Sequence, residues 1–250
     1  MFFKSSDIHA ELTRLKLARG DNIIVHSSVF PFFKLDGLKP MDIPVILYNI
    51  LRSIIGNEGT IIVPTFNFSF CDGVHYDPIT TKSHNMGGFA EYIRLLPNAQ
   101  RSKHPMQSVA AIGPLADYIC APDTQTSFGI DSSFDRILKI NAIGLLLGIS
   151  IKSFSLIHLA EEQIGVPYRY FKRFSGTYGP NNLNKTYSMY VRDEKLNPQI
   201  KIEKIAKILQ QEGFIKSSTI GNAEISLFKA NNFISIAKRM LKQDKSFLII

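Results

Sequence analysis

The apolar run Ala142–Ile149 (AIGLLLGI) and the short helix after it most constrain the fold of this chain. The run predicts a buried strand, and residues 155–165 (SLIHLAEEQIG) have the spacing of an amphipathic helix that carries His158 near its start. In α/β proteins, reactive groups lie where a core strand ends and a helix begins. The pair therefore favours an α/β fold with an enzymatic site at this junction.

Shorter apolar runs continue the alternation of strands and helices along the chain. The pattern predicts strands at 22–26, 60–64 and 108–112, and helices at 7–19, 40–55, 85–96, 114–120 and 132–139, with Asp7 and Ser132 or Ser133 as N-caps. Aromatic-rich alternation predicts antiparallel strands at 168–174 and 186–192, followed by a helix at 202–211, a strand at 223–228 and a helix at 231–241. We therefore expect one α/β domain over residues 1–250, with a mixed central sheet flanked by helices and a β-rich C-terminal addition.

Composition is typical of a soluble globular protein. Hydrophobic residues make up 45% of the 250 positions and charged residues 20%. No apolar run reaches the roughly eighteen residues of a membrane span, and the first residues lack a signal-peptide pattern. Cys71 and Cys120 lie far apart and form neither a disulfide framework nor a metal-ligand motif. We expect a cytoplasmic protein with no metal site.

Positive charge is concentrated in the last third of the chain. Residues 169–250 carry 15 Lys/Arg and 6 Asp/Glu, whereas residues 1–168 carry 14 and 15. Such a surplus attracts nucleic acid, membrane phosphates or an anionic small ligand, and it is equally typical of a solvated face.

His158 is the strongest catalytic candidate. Glu161 follows at helical spacing on the same side, where its carboxylate can hydrogen-bond the imidazole and raise its pKa. A histidine held in this way can act as a general base near neutral pH. A half-buried histidine with a solvated Glu161 fits the same pattern, so the alternative stays open.

Two further polar clusters flank predicted strands. His26-Ser27-Ser28 ends a strand, and its turn can hold a phosphate or an oxyanion through backbone N–H groups, or can simply cap the strand. Arg101-Ser-Lys-His104-Pro-Met-Gln-Ser108 contains the residue types that bind phosphates, although an exposed basic loop would look the same. The chain has no Gly-rich phosphate loop.

Nine segments in collinear order resemble the aminoglycoside 3-N-acetyltransferase family. They are Val25–Ser28, Gly56–Thr60, Pro64–Phe66, Tyr76–Pro78, Asn85–Gly87, Arg101–Pro105, Ala111–Pro114, Leu145–Gly148 and His158–Glu161. The resemblance implies transfer of the acetyl group of acetyl-CoA to an amine of a sugar, by direct transfer with a histidine general base. No cysteine nucleophile is then needed.

We assign roles to seventeen residues, taking the catalytic and acetyl-CoA roles from the resemblance and Tyr168, Arg169 and Lys172 from the charge of the C-terminal third. The catalytic pair is His158 and Glu161. Residues expected at the acetyl-CoA site, including the turn whose N–H groups would stabilise an oxyanion, are His26, Ser27, Ser28, Val29, Arg101, Ser102, His104 and Ser108. Residues expected to bind the acceptor are Phe66, Asn67, Tyr76, Glu91, Tyr168, Arg169 and Lys172. Residues 1–165 would form the CoA-binding and catalytic core, and residues 166–250 would complete the acceptor site.

Two points remain open within the resemblance. The position expected to hold an acid that orients the histidine carries Lys201, so Asp193, Glu194, Glu203 or Glu161 alone could supply that group. The apolar tail Phe247–Ile250 could dock on its own core or on a second subunit, which leaves a homodimer possible.

The basic C-terminal third favours an anionic acceptor. We therefore expect an amino sugar linked to a nucleotide and destined for a surface polysaccharide. Its diphosphate would lie near Arg169, Lys172 or Arg173, and Tyr168 or Tyr170 would stack on the base or the sugar. The alternatives are a true aminoglycoside 3-N-acetyltransferase and a non-catalytic protein that binds CoA or nucleic acid. As binding partners, we expect a small-molecule amino sugar acceptor and no nucleic acid.

Overall fold

The computed structural model describes residues 3–37, 39–196 and 198–250, and a seven-stranded mixed sheet lies at its centre. The strands run in the order β3-β4-β2-β1-β5-β9-β8; their bounds are β1 Ile23–Ser27, β2 Ile61–Pro64, β3 Gln100–Arg101, β4 Val109–Ile112, β5 Ile143–Leu147, β8 Ile215–Ile220 and β9 Ala223–Lys229. Strand β1 pairs in parallel with β2 and β5, and the remaining pairs of this sheet are antiparallel. The expected fold class is therefore confirmed.

Helices cover both faces of this sheet, and a separate hairpin stands beside it. The helices are α1 Ser5–Arg14, α2 Ile43–Ile55, α3 Gly87–Arg94, α4 Ala116–Cys120, α5 Ser133–Lys139, α6 Ile157–Ile164, α7 Glu203–Gln211 and α8 Ala230–Gln243. The hairpin pairs β6 Arg169–Tyr178 with β7 Leu183–Arg192 over ten residues. None of the helices in the described residues is both long and apolar enough to span a membrane.

Strands β1, β2 and β5 are buried along their whole length, which is typical of parallel strands covered on both faces. Their side chains alternate between two large apolar clusters, one on each side of the sheet. Residues of α7 and α8 belong to the same apolar cluster as α6. The last third of the chain is thus partly built into the core and is not only an addition to it.

The structure corrects two details of the predicted elements. Ser132 caps α5 as expected, but α1 begins at Ser5, and Asp7 accepts a hydrogen bond from the Lys4 N–H instead of occupying the cap position. Strands β3 and β8 were not predicted, because β3 has two residues and β8 (IKSSTI) lies at an edge where burial does not force apolar alternation. The polar segment 67–84 has no strand or α-helix, and a parallel bridge joins its Tyr76 to Tyr178 of the hairpin.

Candidate active site

The carboxyl ends of the parallel strands meet at one edge of the sheet, beside the start of α6. A cleft of about 270 Å³ opens there, lined by His26, Ser27, Pro64, Phe66, Asn85, Met86, Ile149, Ser153 and Ser155. Gly148 makes this geometry possible, because it adopts a φ of +65° and a Cβ on it would lie 2.8 Å from the Ser28 carbonyl oxygen. A ligand site at this edge is the usual arrangement in α/β sheets.

His158 lies in the first turn of α6 and contacts Glu161 in the next turn. Its Nδ1 lies 2.7 Å from Glu161 Oε2, and its ring packs edge-on against Phe128 with the centroids 5.5 Å apart. The Glu161 side chain is fully buried, whereas the His158 side chain is 27% exposed. The Nδ1–H donates to the carboxylate, so Nε2 retains its lone pair and has no partner among the described residues.

Two neighbours from the β6 region also contact the Glu161 carboxylate. The buried Tyr168 hydroxyl donates to Oε1 at 3.1 Å, and Arg169 Nε lies 3.0 Å from Oε2. Tyr168 is fully buried and the Arg169 side chain is 7% exposed. We refer to His158, Glu161, Tyr168 and Arg169 as the Glu161 cluster. Its geometry argues against the expected acceptor contacts of Tyr168 and Arg169, because both side chains are directed at the carboxylate.

The surroundings of the Glu161 cluster oppose charge on the imidazole and favour charge on the carboxyl. Burial lowers the pKa of His158, and Glu161 offsets part of that effect. Burial alone would raise the pKa of Glu161, but the contacts to His158 and Arg169 outweigh it and hold that pKa below its ordinary value. A neutral histidine next to an ionised carboxylate is the state that a general base requires.

The cleft and the Glu161 cluster are connected through Ser155. His26 Nε2 accepts hydrogen bonds from the Ser155 N–H at 3.2 Å and from its hydroxyl at 2.9 Å, and the Ser155 carbonyl accepts from the His158 N–H. Burial lowers the pKa of His26 to about 3. His26 therefore lines the cleft as a neutral group that fixes the start of α6.

The remaining residues of the β1 turn differ in what they can offer a ligand. Ser27 lines the cleft, while the Ser28 N–H already donates to the Leu147 carbonyl at 2.9 Å. The Val29 N–H makes no hydrogen bond within the part of the chain that the structure describes. Of the expected oxyanion donors, Ser28 is thus used by the sheet and Val29 is free.

Arg101 does not have the exposed guanidinium that a phosphate contact needs. Its Nε donates to Thr65 Oγ1 and Ser108 Oγ, Nη2 donates to the Thr65 carbonyl at 2.7 Å, and Nη1 donates to the carbonyls of Pro78 and Thr81. Burial lowers its pKa. Arg101 therefore joins the 67–84 segment to β4, and its guanidinium is not available for the expected phosphate contact.

The other members of this loop are also used internally. Ser102 Oγ accepts from the Val109 N–H, and Ser108 Oγ donates to the Thr65 carbonyl. His104 donates from Nε2 to the Ser188 carbonyl and accepts at Nδ1 from the Gln107 N–H, and burial lowers its pKa to about 4. We refer to Arg101, Ser102, His104 and Ser108 as the Arg101 cluster. Its geometry opposes direct CoA contacts by these four side chains.

The residues expected at the acceptor site are scattered. Phe66 lines the cleft, but Tyr76 is fully buried and Asn67 is bonded to Lys82 and Ser69. Glu91 pairs with Arg94 and accepts from Ser83, contacts that outweigh burial and hold its pKa at about 2.

Lys172 lies with Cys71 and Phe174 on the face of the hairpin opposite to Arg169, so the structure does not place it with the Glu161 cluster.

Glu161 is the acid that contacts His158, which answers the question left open by Lys201. Of the other candidates, Glu203 pairs with Lys152 and Asp193 caps a turn at Lys195. Phe128 and Ser155 position the His158 ring and its helix, and neither was among the predicted site residues. Ser155 carried a signal, since a serine before an apolar helical run is typical of a helix start.

Neither cysteine is poised as a nucleophile. Burial raises the pKa of Cys71 to about 11 and that of Cys120 to about 12. No group of three metal-ligating side chains occurs within residues 3–37, 39–196 and 198–250.

Comparison with known proteins gives the family. The family model described as aminoglycoside 3-N-acetyltransferase matches residues 24–242. The aminoglycoside N(3)-acetyltransferase VII of Streptomyces paromomycinus is 24% identical over 93% of this chain and 89% of its own length. Among solved structures, AAC-IIIb with CoASH superposes with a TM-score of 0.82 at 22% sequence identity and covers 97% of both chains. Sisomicin-bound AAC-VIa superposes with a TM-score of 0.84 at 22% sequence identity and covers 97% of this chain and 99% of its own.

These findings confirm the expected enzyme class and its acetyl-CoA cofactor. They also correct the expected acceptor, because the matching family and these relatives are aminoglycoside acetyltransferases and none of them is described as acting on a nucleotide-linked sugar. The charge argument also named Arg169 as a contact for the diphosphate, whereas Arg169 is paired with Glu161. The chain belongs to the aminoglycoside 3-N-acetyltransferase family and is a CoA-dependent N-acetyltransferase.

Proposed function

We propose that this chain acetylates an amine of an aminoglycoside by direct transfer from acetyl-CoA, with His158 as the general base. The observation that carries the proposal is the pairing of His158 Nδ1 with the buried Glu161 carboxylate at 2.7 Å. That contact fixes one tautomer and leaves Nε2 free to accept a proton. The family membership and the sisomicin complex of the similar AAC-VIa support the acceptor class.

The cleft beside the Glu161 cluster fits the acyl-pantetheine part of acetyl-CoA. Its lining combines apolar groups (Pro64, Phe66 and Met86) with the polar edges of Ser27 and Ser155, as an arm of amides and methylenes requires. His26 and Ser27 remain in our proposal as lining residues, and the free Val29 N–H remains as a donor. When bound, acetyl-CoA supplies the activated acetyl group.

His158 performs the proton transfer in this proposal. The acceptor amine gives its proton to Nε2 as its nitrogen forms the new amide bond, and the bond between the acetyl carbon and the CoA sulfur breaks. The proton on Nε2 then passes to the leaving CoA thiolate, so the histidine returns to its neutral state. Glu161 stabilises the transient imidazolium and keeps the ring oriented. The poor nucleophilicity of both cysteines agrees with transfer in a ternary complex.

A carboxylate near the base is suited to a cationic acceptor. Glu162 follows His158 by four residues on α6 and therefore lies on the same side of the helix. Its Oε1 accepts from Thr126 Oγ1 at 2.6 Å, and no cation pairs with it among the described residues. Burial raises its pKa, so an ammonium group beside it would gain a charge partner and would favour its ionised form. We propose that Glu162 binds a second ammonium group of the acceptor.

We propose that residues 1–165 provide the cleft and the base. Residues 166–250 would complete the acceptor site through the hairpin, from which Arg169 contacts Glu161. The free cysteines are compatible with a cytoplasmic enzyme, which is where we place it.

Thiol release from acetyl-CoA in the presence of an aminoglycoside panel tests this proposal. We expect acceptor-dependent release by the wild type, a large loss in H158A, and a higher KM for the aminoglycoside in E162Q. Calorimetric binding of CoA by H158A controls for folding. No release with any aminoglycoside, in a wild-type protein that binds CoA, would refute the proposed acceptor.

A further inference from the structure

We propose that Arg169 is a positioning residue, which holds the Glu161 carboxylate, and through it His158, in the orientation that the general base needs. The inference rests on the proposed role of His158 and adds a third residue to it. It replaces the acceptor contact that the sequence suggested for Arg169.

The guanidinium reaches both members of the pair. Arg169 Nε lies 3.0 Å from Glu161 Oε2, and Nη2 lies 3.3 Å from His158 Nδ1. Its Nη1 donates to the Tyr190 carbonyl on β7 at 3.1 Å, which anchors the side chain to the hairpin. With 7% of the side chain exposed, Arg169 has little freedom to move away.

Contacts to both oxygens fix the position of the Glu161 carboxylate. Oε2 accepts a hydrogen bond from His158 Nδ1–H at 2.7 Å and forms an ion pair with Arg169, while Oε1 accepts from the Tyr168 hydroxyl. The carboxylate selects the tautomer, because it is closer to Nδ1 than the Arg169 Nη2–H, a donor that by itself would favour an unprotonated Nδ1. Arg169 therefore acts on His158 through the position of the Glu161 carboxylate.

The same cation opposes a second proton on the ring. Glu162 lies on the same side of α6 as His158, but the charged groups that act on the pKa of His158 are Glu161 on its own helix and Arg169 and Arg192 on the hairpin. Glu161 raises this pKa, and the two arginines lower it. Burial of Glu161 without a cation would be costly, because an ionised carboxyl in the core needs a charge partner. Arg169 thus keeps the carboxylate ionised and the imidazole neutral at once.

The test combines an activity-independent readout with kinetics. His158 ring resonances are followed by NMR against pH in the wild type, R169Q, R169K and R173Q, with H158Q for assignment. Arg173 lies on the same strand and is exposed, so R173Q removes an equal charge without touching Glu161. We expect the pKa of His158 to rise in R169Q and to remain close to the wild-type value in R173Q.

Kinetics separate positioning from binding. We expect kcat to fall about 10–100-fold in R169Q, with the KM for acetyl-CoA little changed, and to recover in part in R169K, which keeps the charge but loses the planar fork. If R169Q does not fold, R169K alone carries the test, because it should lower kcat at an unchanged KM.

The two proposals can fail separately. An unchanged His158 titration and an unchanged kcat in R169Q, or in R169K if only that variant folds, would overturn the positioning role even if aminoglycosides are acetylated. A shifted titration in R169Q of a protein that acetylates no aminoglycoside would keep the positioning role and refute the acceptor.

Discussion

The Glu161 cluster and the Arg101 cluster contain similar residues and differ in what those residues can do. Each is buried and combines an arginine with a histidine close to the edge of the sheet where the parallel strands end. In the Glu161 cluster the arginine faces a carboxylate, which also holds one nitrogen of the histidine. In the Arg101 cluster the arginine faces carbonyls and hydroxyls. A buried carboxylate is what separates a candidate base from a structural histidine.

The two histidines show this difference directly. His104 uses both ring nitrogens, one on the Ser188 carbonyl and one on the Gln107 N–H, so it has no free lone pair for a substrate. His158 uses only Nδ1. Burial lowers the pKa of both, but only His158 has a carboxylate that can stabilise a transient positive charge.

Replacing each histidine by glutamine gives the largest expected contrast. H158Q should lower kcat by roughly 10²–10⁴-fold, the usual contribution of a general base, while its thermal stability changes little. H104Q should instead lower the melting temperature and keep most of the turnover of the folded enzyme. Steady-state kinetics and thermal melts of both variants check this, and similar kcat losses in the two would erase the distinction.

Removing the arginine of the Arg101 cluster should mainly affect stability. R101M leaves several buried carbonyls and hydroxyls without a donor, and each such group costs about 1–3 kcal/mol, so a total loss of about 3 kcal/mol or more is expected. R101K restores part of the loss. Urea unfolding measures the loss of stability, and Arg14→Met, at an exposed position, is the matched control. A stability equal to the wild type, together with a raised KM for acetyl-CoA, would restore the phosphate role.

The neutral histidines should make the fold sensitive to acid. Burial lowers the pKa of His104 to about 4, so the unfolded chain takes up this proton first as the pH falls. Stability is thus complete above the ordinary value of 6.5 and is lost towards pH 4, with a slope of up to about 1.4 kcal/mol per pH unit. Urea unfolding at several pH values should show a shallower slope in H104Q than in exposed His9→Gln. Equal slopes would contradict the buried, neutral state.

The sequence was sufficient to predict the elements and contacts that depend on local pattern. The apolar periods of residues 142–149 and 155–165 predicted β5 and α6, and the spacing of His158 and Glu161 predicted their contact. It could not show where the partners of a side chain lie in three dimensions. Arg101 donates to residues 20 or more positions away, as well as to Ser108, and Tyr168 and Arg169 meet Glu161 only because the hairpin folds onto α6.

Charge counting failed for the same reason. The surplus of residues 169–250 suggested an anionic acceptor, but Arg169 is neutralised by Glu161, and Lys172 lies on the opposite face of the hairpin. Position and partners decide what a charge attracts, and neither can be read from a net sum.

The pH dependence of kcat/KM with an aminoglycoside acceptor tests the central claim most directly. Deprotonation of the acceptor contributes equally to the wild type and to H158Q, so any extra acid limb in the wild type reports His158. We predict such a limb below the ordinary histidine pKa in the wild type and its absence from the residual activity of H158Q. An identical pH profile in the two enzymes would contradict the assignment of His158 as the base.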